Sequence, residues 1–290
     1  MPANKTIQET LAEGTRLLKA PSSDAFIDTP ELDAALLLAE TLHINRTQLV
    51  VHGKDHISGA DREKFFGLLS RRMKGECIAY ILGRREWRGL EFAVNSHVLV
   101  PRPDTETLVE AALVYIEQLI QAAPDKKLSL LDLCTGAGAI AIALKNERPF
   151  LEISASDISV DALETARLNA GRLGQSIRLI QSDLFGSING KFDIIVSNPP
   201  YVSSAEIDTL ASEVRREPRL ALDGGEDGLE LIKKIISAAP DFLRPHGALL
   251  LEAGPEQMPA IRTMLESRDF GGIRIYRDLA GRERVIAAEM

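Results

Sequence analysis

The sequence predicts an α/β protein with an open, mainly parallel sheet, preceded by an all-helical domain. Helical and strand patterns alternate from about residue 104 onward, whereas residues 1–85 carry helical patterns only. Such alternation is typical of a parallel sheet with helices on both faces. At the chain end, only LAGRE separates the strand patterns GGIRIYRD and RVIAAE. Because this connection is too short for a crossover helix, we expect these two strands to pair antiparallel.

The helical domain, residues 1–85, should contain amphipathic helices that pack around a small core of their own. Thr29-Pro30 predicts a helix start, with a capping hydroxyl before a proline at the first helical position. Ser58 should begin another helix, whose apolar stripe includes Phe65 and Leu69. These stripes are best explained by core packing.

A short β-hairpin is predicted for residues 86–100, linking the helical domain to a second domain at residues 101–290. Large apolar side chains are arranged there around Gly89 and Asn95, and two prolines follow at 101 and 103. Glycine and asparagine favour turns, and a proline interrupts strand pairing.

Composition limits the classes of partner. The net charge of −8 over 290 residues argues against a protein that depends on phosphate contacts alone. The basic clusters at 71–74 and 84–88 are best explained as solvated helix ends, with a docking surface for an acidic or RNA-associated partner as the alternative. Cys77 and Cys134 are the two cysteines and form no metal-like cluster, so we expect no metal and a reduced, cytoplasmic setting. We also expect no membrane association, because no apolar run is long enough to span a bilayer.

The segment LSLLDLCTGAGAIAIAL, residues 128–144, predicts a strand, a glycine-bearing turn and a helix. Gly136 and Gly138 would allow the backbone to approach a ligand closely. The N-terminus of the following helix would offer free N–H groups. Ligands of open parallel sheets bind at this carboxyl edge, so the turn is a candidate cofactor loop.

Two cofactors fit this loop. GAGAIA matches the dinucleotide fingerprint, and Asp157 follows Gly136 by 157 − 136 = 21 residues, where a ribose-binding acid belongs. The same acid would bind the ribose of S-adenosylmethionine. Asp132 favours this second cofactor, because a carboxylate at the strand end could attract its cationic amino-acid portion. Asp183 could accept from the adenine amino group, or cap a turn. A glycine-rich turn without a ligand is the third possibility.

The peptide NPPY, residues 198–201, follows the strand pattern FDIIVS and should lie at the same sheet edge. It presents two acceptors, the Asn198 side-chain oxygen and the Pro199 carbonyl, and the planar ring of Tyr201. This set suits a flat, conjugated –NH2 group, with the ring stacked on it. Acceptors outside the amide plane would favour a pyramidal nitrogen and direct its lone pair at a methyl group. The alternative is a rigid turn that ends a strand.

These residues resemble the PrmC/HemK family, the protein-glutamine methyltransferases of class 1 peptide chain release factors. The similarity covers nearly the whole chain from about Glu76. Its most specific blocks are PRPDTE, residues 101–106, and EPRLALDGGEDGL, residues 217–229. These blocks distinguish the family from adenine methyltransferases that share NPPY.

The resemblance implies a class I S-adenosylmethionine-dependent methyltransferase domain, Rossmann-like, with a seven-stranded, mainly parallel sheet and an antiparallel last strand. It also implies methylation of the glutamine in the GGQ motif of class 1 release factors, with S-adenosylhomocysteine as the second product. The helical domain would dock the release factor outside that motif. We expect a monomer that makes no direct contact with nucleic acid.

The family's functional residues can be transferred to matching positions. The cofactor would be held by Asp132, Cys134, Thr135, Gly136, Ala137, Gly138, Asp157, Asp183, Leu184 and Asn198. The substrate would contact Arg102, Glu106, Asn198, Pro199, Pro200 and Tyr201, of which Asn198, Pro199 and Tyr201 would be catalytic. Cys134 stands where the family usually has glycine. We expect the turn to be kept only with a negative φ at this residue, and we expect no nucleophilic role for its thiol.

Two other functions and one minor alternative remain open from the sequence. An adenine amino methyltransferase acting on nucleic acid could also use NPPY, but such enzymes flip a base and grip phosphates. The acidic composition argues against this alternative. The other is a cofactor-binding scaffold without enzymatic activity, and nicotinamide redox chemistry is a minor enzymatic alternative.

Overall fold

The structure is a computed structural model that describes residues 5–20 and 27–290. These residues form two compact units. The helical unit contains the described residues up to Gly83 together with Leu210–Arg216, and the sheet unit contains Arg84–Thr209 and Glu217–Met290. The sequence assigned no part of the later chain to the helical domain.

The helical unit consists of α1 (Ile7–Leu18), α2 (Pro30–Leu42), α3 (Arg46–Val51), α4 (Gly59–Met73) and α5 (Ile78–Leu82). Their apolar faces form one core that includes Leu37, Phe65 and Leu69. Ser58 caps α4 as predicted, because its hydroxyl accepts from the Asp61 N–H at 3.1 Å. The helix start predicted at Thr29-Pro30 is confirmed, but the predicted capping hydrogen bond of the Thr29 hydroxyl is wrong. Its ψ of 59° lies outside the extended region that a capping residue adopts, and its hydroxyl bonds the Asp33 carboxylate instead.

A buried arginine fastens the segment Leu210–Arg216 to the helices. Arg72 is 5% exposed. Its guanidinium binds the Asp33 carboxylate at 2.7 Å and the Glu213 carboxylate at 3.0 Å. The interpretation of residues 71–74 as a solvated helix end is therefore wrong for Arg72.

The sheet unit begins with the hairpin of β1 (Arg84–Trp87) and β2 (Leu90–Ala93). The prediction of a hairpin is confirmed, but its strands cover 84–93 rather than 86–100. Arg88 and Gly89 form the turn, with φ of 51° and 71°. The second basic cluster thus lies in a hairpin and not at a helix end.

The main sheet contains seven strands in the order β5-β4-β3-β6-β7-β9-β8. The strands are β3 (Ser129–Leu133), β4 (Glu152–Asp157), β5 (Arg178–Gln181), β6 (Phe192–Ser197), β7 (Leu243–Glu252), β8 (Gly271–Arg277) and β9 (Glu283–Glu289). The helices of this unit are α6 (Glu106–Ala122), α7 (Ala139–Glu147), α8 (Val160–Arg172), α9 (Glu230–Phe242) and α10 (Met258–Glu266). The pairs from β5 to β7 are parallel, and β9 is antiparallel to both of its neighbours, which confirms the predicted topology.

Both faces of the main sheet are covered. Along β3, Leu130 packs into one apolar cluster and Leu131 into another. The first cluster includes residues of α6 and α7, and the second includes residues of α9 and α10. Strands buried on both faces explain the continuous apolar runs in the sequence. Among the described residues, no helix has the length and apolar character required to cross a bilayer.

Candidate active site

A cavity opens at the carboxyl edge of the sheet, where the strand order reverses between β3 and β6. Pairing places Leu133 opposite both Ser156 and Ser197, so the chain segments after β3, β4 and β6 meet there. Most of the predicted site residues line this cavity: Arg102, Cys134, Thr135, Gly136, Ala137, Asp157, Asp183, Leu184, Asn198 and Pro200. The others lie outside its wall: Asp132, Gly138, Pro199, Tyr201 and Glu106.

We call residues 134–138, 157 and 182–184 the donor side of the cavity, because the sequence predicts that they hold the methyl donor. Cys134 turns the backbone there with a φ of 59°. The expectation of a negative φ is therefore wrong. Thr135 N–H still bonds the carbonyl of Ser156 in β4 at 2.9 Å. The chain therefore stays attached to the sheet on both sides of Cys134, and the bend is confined to this residue. Burial raises the pKa of the Cys134 thiol to about 12, which agrees with the expectation that it is not a nucleophile.

The two glycines of the loop have different functions. Gly136 has a φ of 53°, and no atom lies within 4 Å of a Cβ built on it. Gly138 has a φ of 80°, and a Cβ there would meet Ala166 and Ile142 at 3.1 Å. Gly136 therefore leaves space beside the cavity, whereas Gly138 allows the start of α7 to pack closely against Ala166 of α8.

Asp132 organises the loop from behind. It is fully buried, and its Oδ2 accepts from the Thr135 hydroxyl at 2.6 Å and the Ala141 N–H at 3.3 Å. Its Oδ1 has no partner among the described residues. Burial raises the pKa of this carboxyl to about 7. The structure thus brings Asp132 to the loop but not to the cavity wall, where a direct contact with the cofactor was expected.

Asp157 is held by backbone groups at the end of β4. Its Oδ2 accepts from the Gly136 N–H and its Oδ1 from the Ser159 N–H, each at 2.9 Å. Burial raises the pKa of this carboxyl. Each oxygen retains a lone pair for a further donor.

A second strained turn completes the donor side. Leu184 has a φ of 45°, which is unfavourable for a residue with a side chain. The buried Ser182 stabilises this turn, because its hydroxyl donates to the Leu184 carbonyl at 2.7 Å and accepts from the Ser187 N–H at 2.9 Å. The Asp183 side chain is exposed and lines the cavity.

We call NPPY the amine side, together with Thr105 and Glu252, whose side chains hydrogen-bond to it. The sequence predicts that this motif binds the substrate –NH2 group. Asn198 donates from Nδ2 to the Thr105 hydroxyl oxygen at 3.2 Å. Thr105 is buried in the PRPDTE block and also lines the cavity. This bond uses the NH2 group of Asn198, and the role of its side-chain oxygen as an acceptor for a ligand stays a prediction.

Tyr201 supports the motif instead of facing the cavity. Its ring packs against the apolar cluster shared with α9 and α10, and its hydroxyl donates to Glu252 Oε1 at 3.3 Å. The expected stacking surface is therefore not at the cavity wall. Glu252 ends β7 and is 1% exposed, and burial raises its pKa to about 7. Arg284 lies beside Tyr201 and binds the carboxylates of Asp104 and Asp278 at 3.1 Å and 3.2 Å.

The EPRLALDGGEDGL block packs directly on the backbone of NPPY. A Cβ on Gly224 would lie 2.7 Å from the Pro200 carbonyl oxygen, and one on Gly228 would lie 2.4 Å from that of Tyr201. The buried Gln257 donates to the Tyr201 carbonyl at 2.9 Å. Only glycine permits this approach, which explains why glycines stand at positions 224 and 228 of the block.

Arg102 and Glu106, both in PRPDTE, behave differently. Arg102 lines the cavity and binds the carboxylate of Glu217, which is 4% exposed and begins the other specific block. Glu106 begins α6 outside the cavity wall and pairs weakly with Arg88 at 3.9 Å. The structure therefore does not place Glu106 at the site where substrate contact was expected.

Sequence reasoning missed several residues of this site. Thr105, Ser182, Glu217 and Glu252 carry its buried polar contacts. Two of them, Thr105 and Glu217, lie in the blocks that the resemblance singled out. Ser182 begins SDLF, residues 182–185, a shorter stretch that also resembles the family, whereas Glu252 carries no signal beyond being a polar residue at the end of a strand.

The comparisons with known proteins agree with this fold. The profile of the family described as "PrmC N-terminal domain" matches residues 9–83, and that of "Methyltransferase small domain" matches residues 110–271. A release factor glutamine methyltransferase of Burkholderia pseudomallei is 39% identical over 287 residues, or 96% of each chain. One of Bradyrhizobium diazoefficiens is 40% identical over 97% of this chain and 95% of its own. The hMettl16 catalytic domain, solved with an RNA hairpin, is similar in fold alone: TM-score 0.56, 16% identity, covering 76% of this chain and 81% of that one.

Proposed function

The chain belongs to the release factor glutamine methyltransferase family, and we propose that it methylates the side-chain amide nitrogen of the glutamine in the GGQ motif of class 1 peptide chain release factors. One observation carries the proposal: the predicted cofactor loop lines the same cavity as Asn198 and Pro200 of the NPPY motif. Relatives that are similar over nearly their whole length support the substrate.

The donor side fits S-adenosylmethionine, which supplies an electrophilic methyl group when bound. The free lone pairs of Asp157 suit the two ribose hydroxyls. Asp183 offers an acceptor for the adenine amino group, and Leu184 offers an apolar surface beside it. The space at Gly136 admits a ligand close to the backbone. The buried Asp132, with one oxygen lacking a partner, adds negative charge behind the loop.

The amine side fits a carboxamide. Asn198 would accept a hydrogen bond from the substrate –NH2 through its side-chain oxygen. The carbonyl of Pro199, a residue outside the cavity wall, remains the second acceptor that the sequence predicts. Delocalisation makes an amide nitrogen a poor nucleophile, and its rotation barrier of roughly 18–20 kcal/mol gives the scale. Two acceptors outside the amide plane stabilise the pyramidal nitrogen more than the planar one. They therefore lower the activation barrier to methyl transfer. Once methylated, the nitrogen carries four substituents and a positive charge, so it is acidic and one of its two protons can pass to water without a dedicated base.

The test is the position of the methyl group. The full chain is incubated with labelled S-adenosylmethionine and a release factor, and the label is mapped by peptide mass spectrometry. We expect label on the GGQ glutamine and none on a matched factor whose GGQ glutamine is replaced by alanine. Label elsewhere, or label in adenine when nucleic acid is offered instead, would refute the proposal.

We also propose that the helical unit binds the release factor outside the GGQ motif. Its match to the "PrmC N-terminal domain" profile supports a family-specific role. Val50 and Val51 on α3 are 83% and 73% exposed and are candidates for this contact. Aspartate at both positions should raise KM for the full release factor and leave the rate on a short GGQ peptide unchanged. Val114→Asp, at a half-exposed position of the sheet unit, is the control.

We further propose that the chain acts as a cytoplasmic monomer without direct contact to nucleic acid. Its net charge of −8 and its two free cysteines support this proposal. Light scattering and salt-dependent binding to duplex nucleic acid test it. A dimer, or tight binding that weakens steeply with salt, would contradict it.

A further inference from the structure

The NPPY motif has few N–H groups with which to fasten its own backbone. Its two prolines have none, so they cannot donate to a neighbouring segment. At its start the motif continues β6, whose last residue Ser197 pairs with Leu133 of β3. At its other end, the side chain of the buried Gln257 donates to the Tyr201 carbonyl at 2.9 Å. A residue outside the motif therefore fastens the far end of NPPY.

Three hydrogen bonds use both ends of the Gln257 carboxamide. Its Oε1 accepts from the Gly254 N–H at 2.9 Å, and its Nε2 donates to the Tyr201 carbonyl at 2.9 Å and to the Gly228 carbonyl at 3.2 Å. A backbone N–H can only donate, and a backbone carbonyl can only accept. These partners therefore fix which end of the carboxamide is the oxygen, because the opposite orientation would lose all three bonds.

Gln257 joins three segments of the sheet unit. Gly254 follows β7, Tyr201 ends NPPY, and Gly228 belongs to the EPRLALDGGEDGL block. The junction is tight, because a Cβ on Gly228 would lie 2.6 Å from Gln257 Nε2. The two prolines have fixed φ angles, so a displacement of the Tyr201 carbonyl is carried along the motif to Asn198.

We propose that Gln257 is a positioning residue for methyl transfer, which acts through NPPY and holds Asn198 in place at the cavity. Gln257 itself lies outside the cavity wall, so its effect on the reaction is indirect. This inference rests on the proposed function, because it assumes that NPPY binds the substrate –NH2 group.

The first test is Gln257→Met. Methionine has a similar size but no N–H group, so the carbonyls of Tyr201 and Gly228 lose their donor. We expect kcat on the release factor to fall by about 10- to 100-fold, since a misplacement of about 1 Å can cost about 100-fold. The affinity for S-adenosylmethionine, measured by calorimetry, should stay unchanged, and the binding stoichiometry gives the folded fraction to which kcat is normalised. A normalised kcat equal to that of the wild type would overturn the proposal.

The second variant, Gln257→Glu, separates hydrogen bonding from packing because its shape is retained. An ionised carboxylate can only accept, so it repels the Tyr201 and Gly228 carbonyls, whereas a protonated carboxyl can donate to one of them. All three hydrogen-bond partners at this position are uncharged backbone groups, and burial raises the pKa of a carboxyl. The ratio of its kcat to the wild-type kcat should therefore rise as the pH is lowered from about 8 to about 5.5. A ratio that does not change with pH would overturn the proposal.

Gln175→Met is the matched control. Gln175 is a half-buried glutamine whose NH2 group also donates to a backbone carbonyl, that of Leu173 at 3.2 Å, but neither residue lines the cavity. Its loss should leave the normalised kcat unchanged. An equal fall in kcat in both methionine variants would show a general effect of losing a glutamine and would refute a specific role for Gln257.

A further measurement needs no variant and no substrate. Hydrogen exchange of the Gln257 side-chain NH2 is followed by NMR on isotope-labelled full-length protein. Tyr201 and Gly228 each accept one of its two protons, so both should exchange far more slowly than in an unstructured peptide. Exchange of either proton at the peptide rate would overturn the inference even if both variants fail to fold. If the wild type methylates no release factor, the proposed function fails, and slow exchange of both protons would still support the hydrogen bonds that fasten NPPY.

Discussion

The donor side and the amine side of the cavity hold their groups in different ways. The donor side depends on backbone conformation, with positive φ at Cys134, Gly136, Gly138 and Leu184. The amine side depends on buried side-chain contacts, from Asn198 to Thr105 and from Tyr201 to Glu252. A backbone site tolerates changes of side chain that keep the turn, whereas a side-chain network fails when one partner is lost.

The two sides nevertheless share one feature. Asp132, one residue before the end of β3, and Glu252, the last residue of β7, are both buried, and each has one carboxylate oxygen with no partner among the described residues. Burial raises both pKa values to about 7. Each side therefore retains a buried carboxyl group whose ionised form is disfavoured by burial.

The largest effect should come from Asn198→Ala. Removing one preorganised hydrogen-bonding group at a reacting centre lowers kcat by about 100- to 1,000-fold, and we expect a loss in this range. The affinity for S-adenosylmethionine, measured by calorimetry, should change little.

Asp157→Ala should have the opposite pattern of effects. It should weaken the affinity for the cofactor more than it lowers kcat at saturating cofactor. If both variants lose cofactor affinity equally, the division into two sides is wrong.

Gly228→Ala should be the most destabilising single change on the amine side. A Cβ there would stand 2.4 Å from the Tyr201 carbonyl oxygen at a φ of 70°. Overpacking and left-handed strain together predict a loss of about 4 kcal/mol in unfolding free energy. Gly89→Ala is the matched control, with a φ of 71° and open space around its Cβ. It should lose only about 1 kcal/mol in denaturant titrations, and equal losses would contradict the packing argument.

Much of this architecture was predictable because the patterns are local. All seven strands of the main sheet and the antiparallel position of β9 follow from apolar runs and connection lengths. The residues after β3, β4 and β6 were predictable for the same reason, since parallel strands end at one edge.

The remaining features depend on contacts between residues that are far apart in sequence. Thr105 and Asn198 are 93 residues apart, and Tyr201 and Glu252 are 51 apart. No periodicity encodes such pairs. Tyr201 was therefore expected at the cavity wall, whereas its hydroxyl binds Glu252 behind that wall. Likewise, a cap at Thr29 was predicted from residue type, but the local ψ directs the hydroxyl elsewhere.

Glu252→Gln should change how stability depends on pH. The pKa of Glu252 rises from 4.5 in the unfolded chain to about 7 in the folded one. Below pH 4.5 both states are protonated; as pH rises toward 7, only the unfolded carboxyl ionises, and the folded state loses stability. At 1.36 kcal/mol per pKa unit, the loss is about 3 kcal/mol, and glutamine should remove it. Denaturant titrations of both proteins across this range test the sign, and parallel pH profiles would contradict it.

The smallest effect concerns Cys134 on the donor side. Its φ of 59° costs a residue with a side chain about 1 kcal/mol or more, whereas glycine adopts this conformation freely. Cys134→Gly should therefore be more stable than Cys134→Ala by about 1 kcal/mol, because both remove the thiol and only alanine keeps the strain. Cofactor affinity should stay the same in both, since the donor side depends on the turn and not on this side chain. A less stable glycine variant would show that the turn is held by the cysteine side chain, and the contrast between the two sides of the cavity would no longer hold.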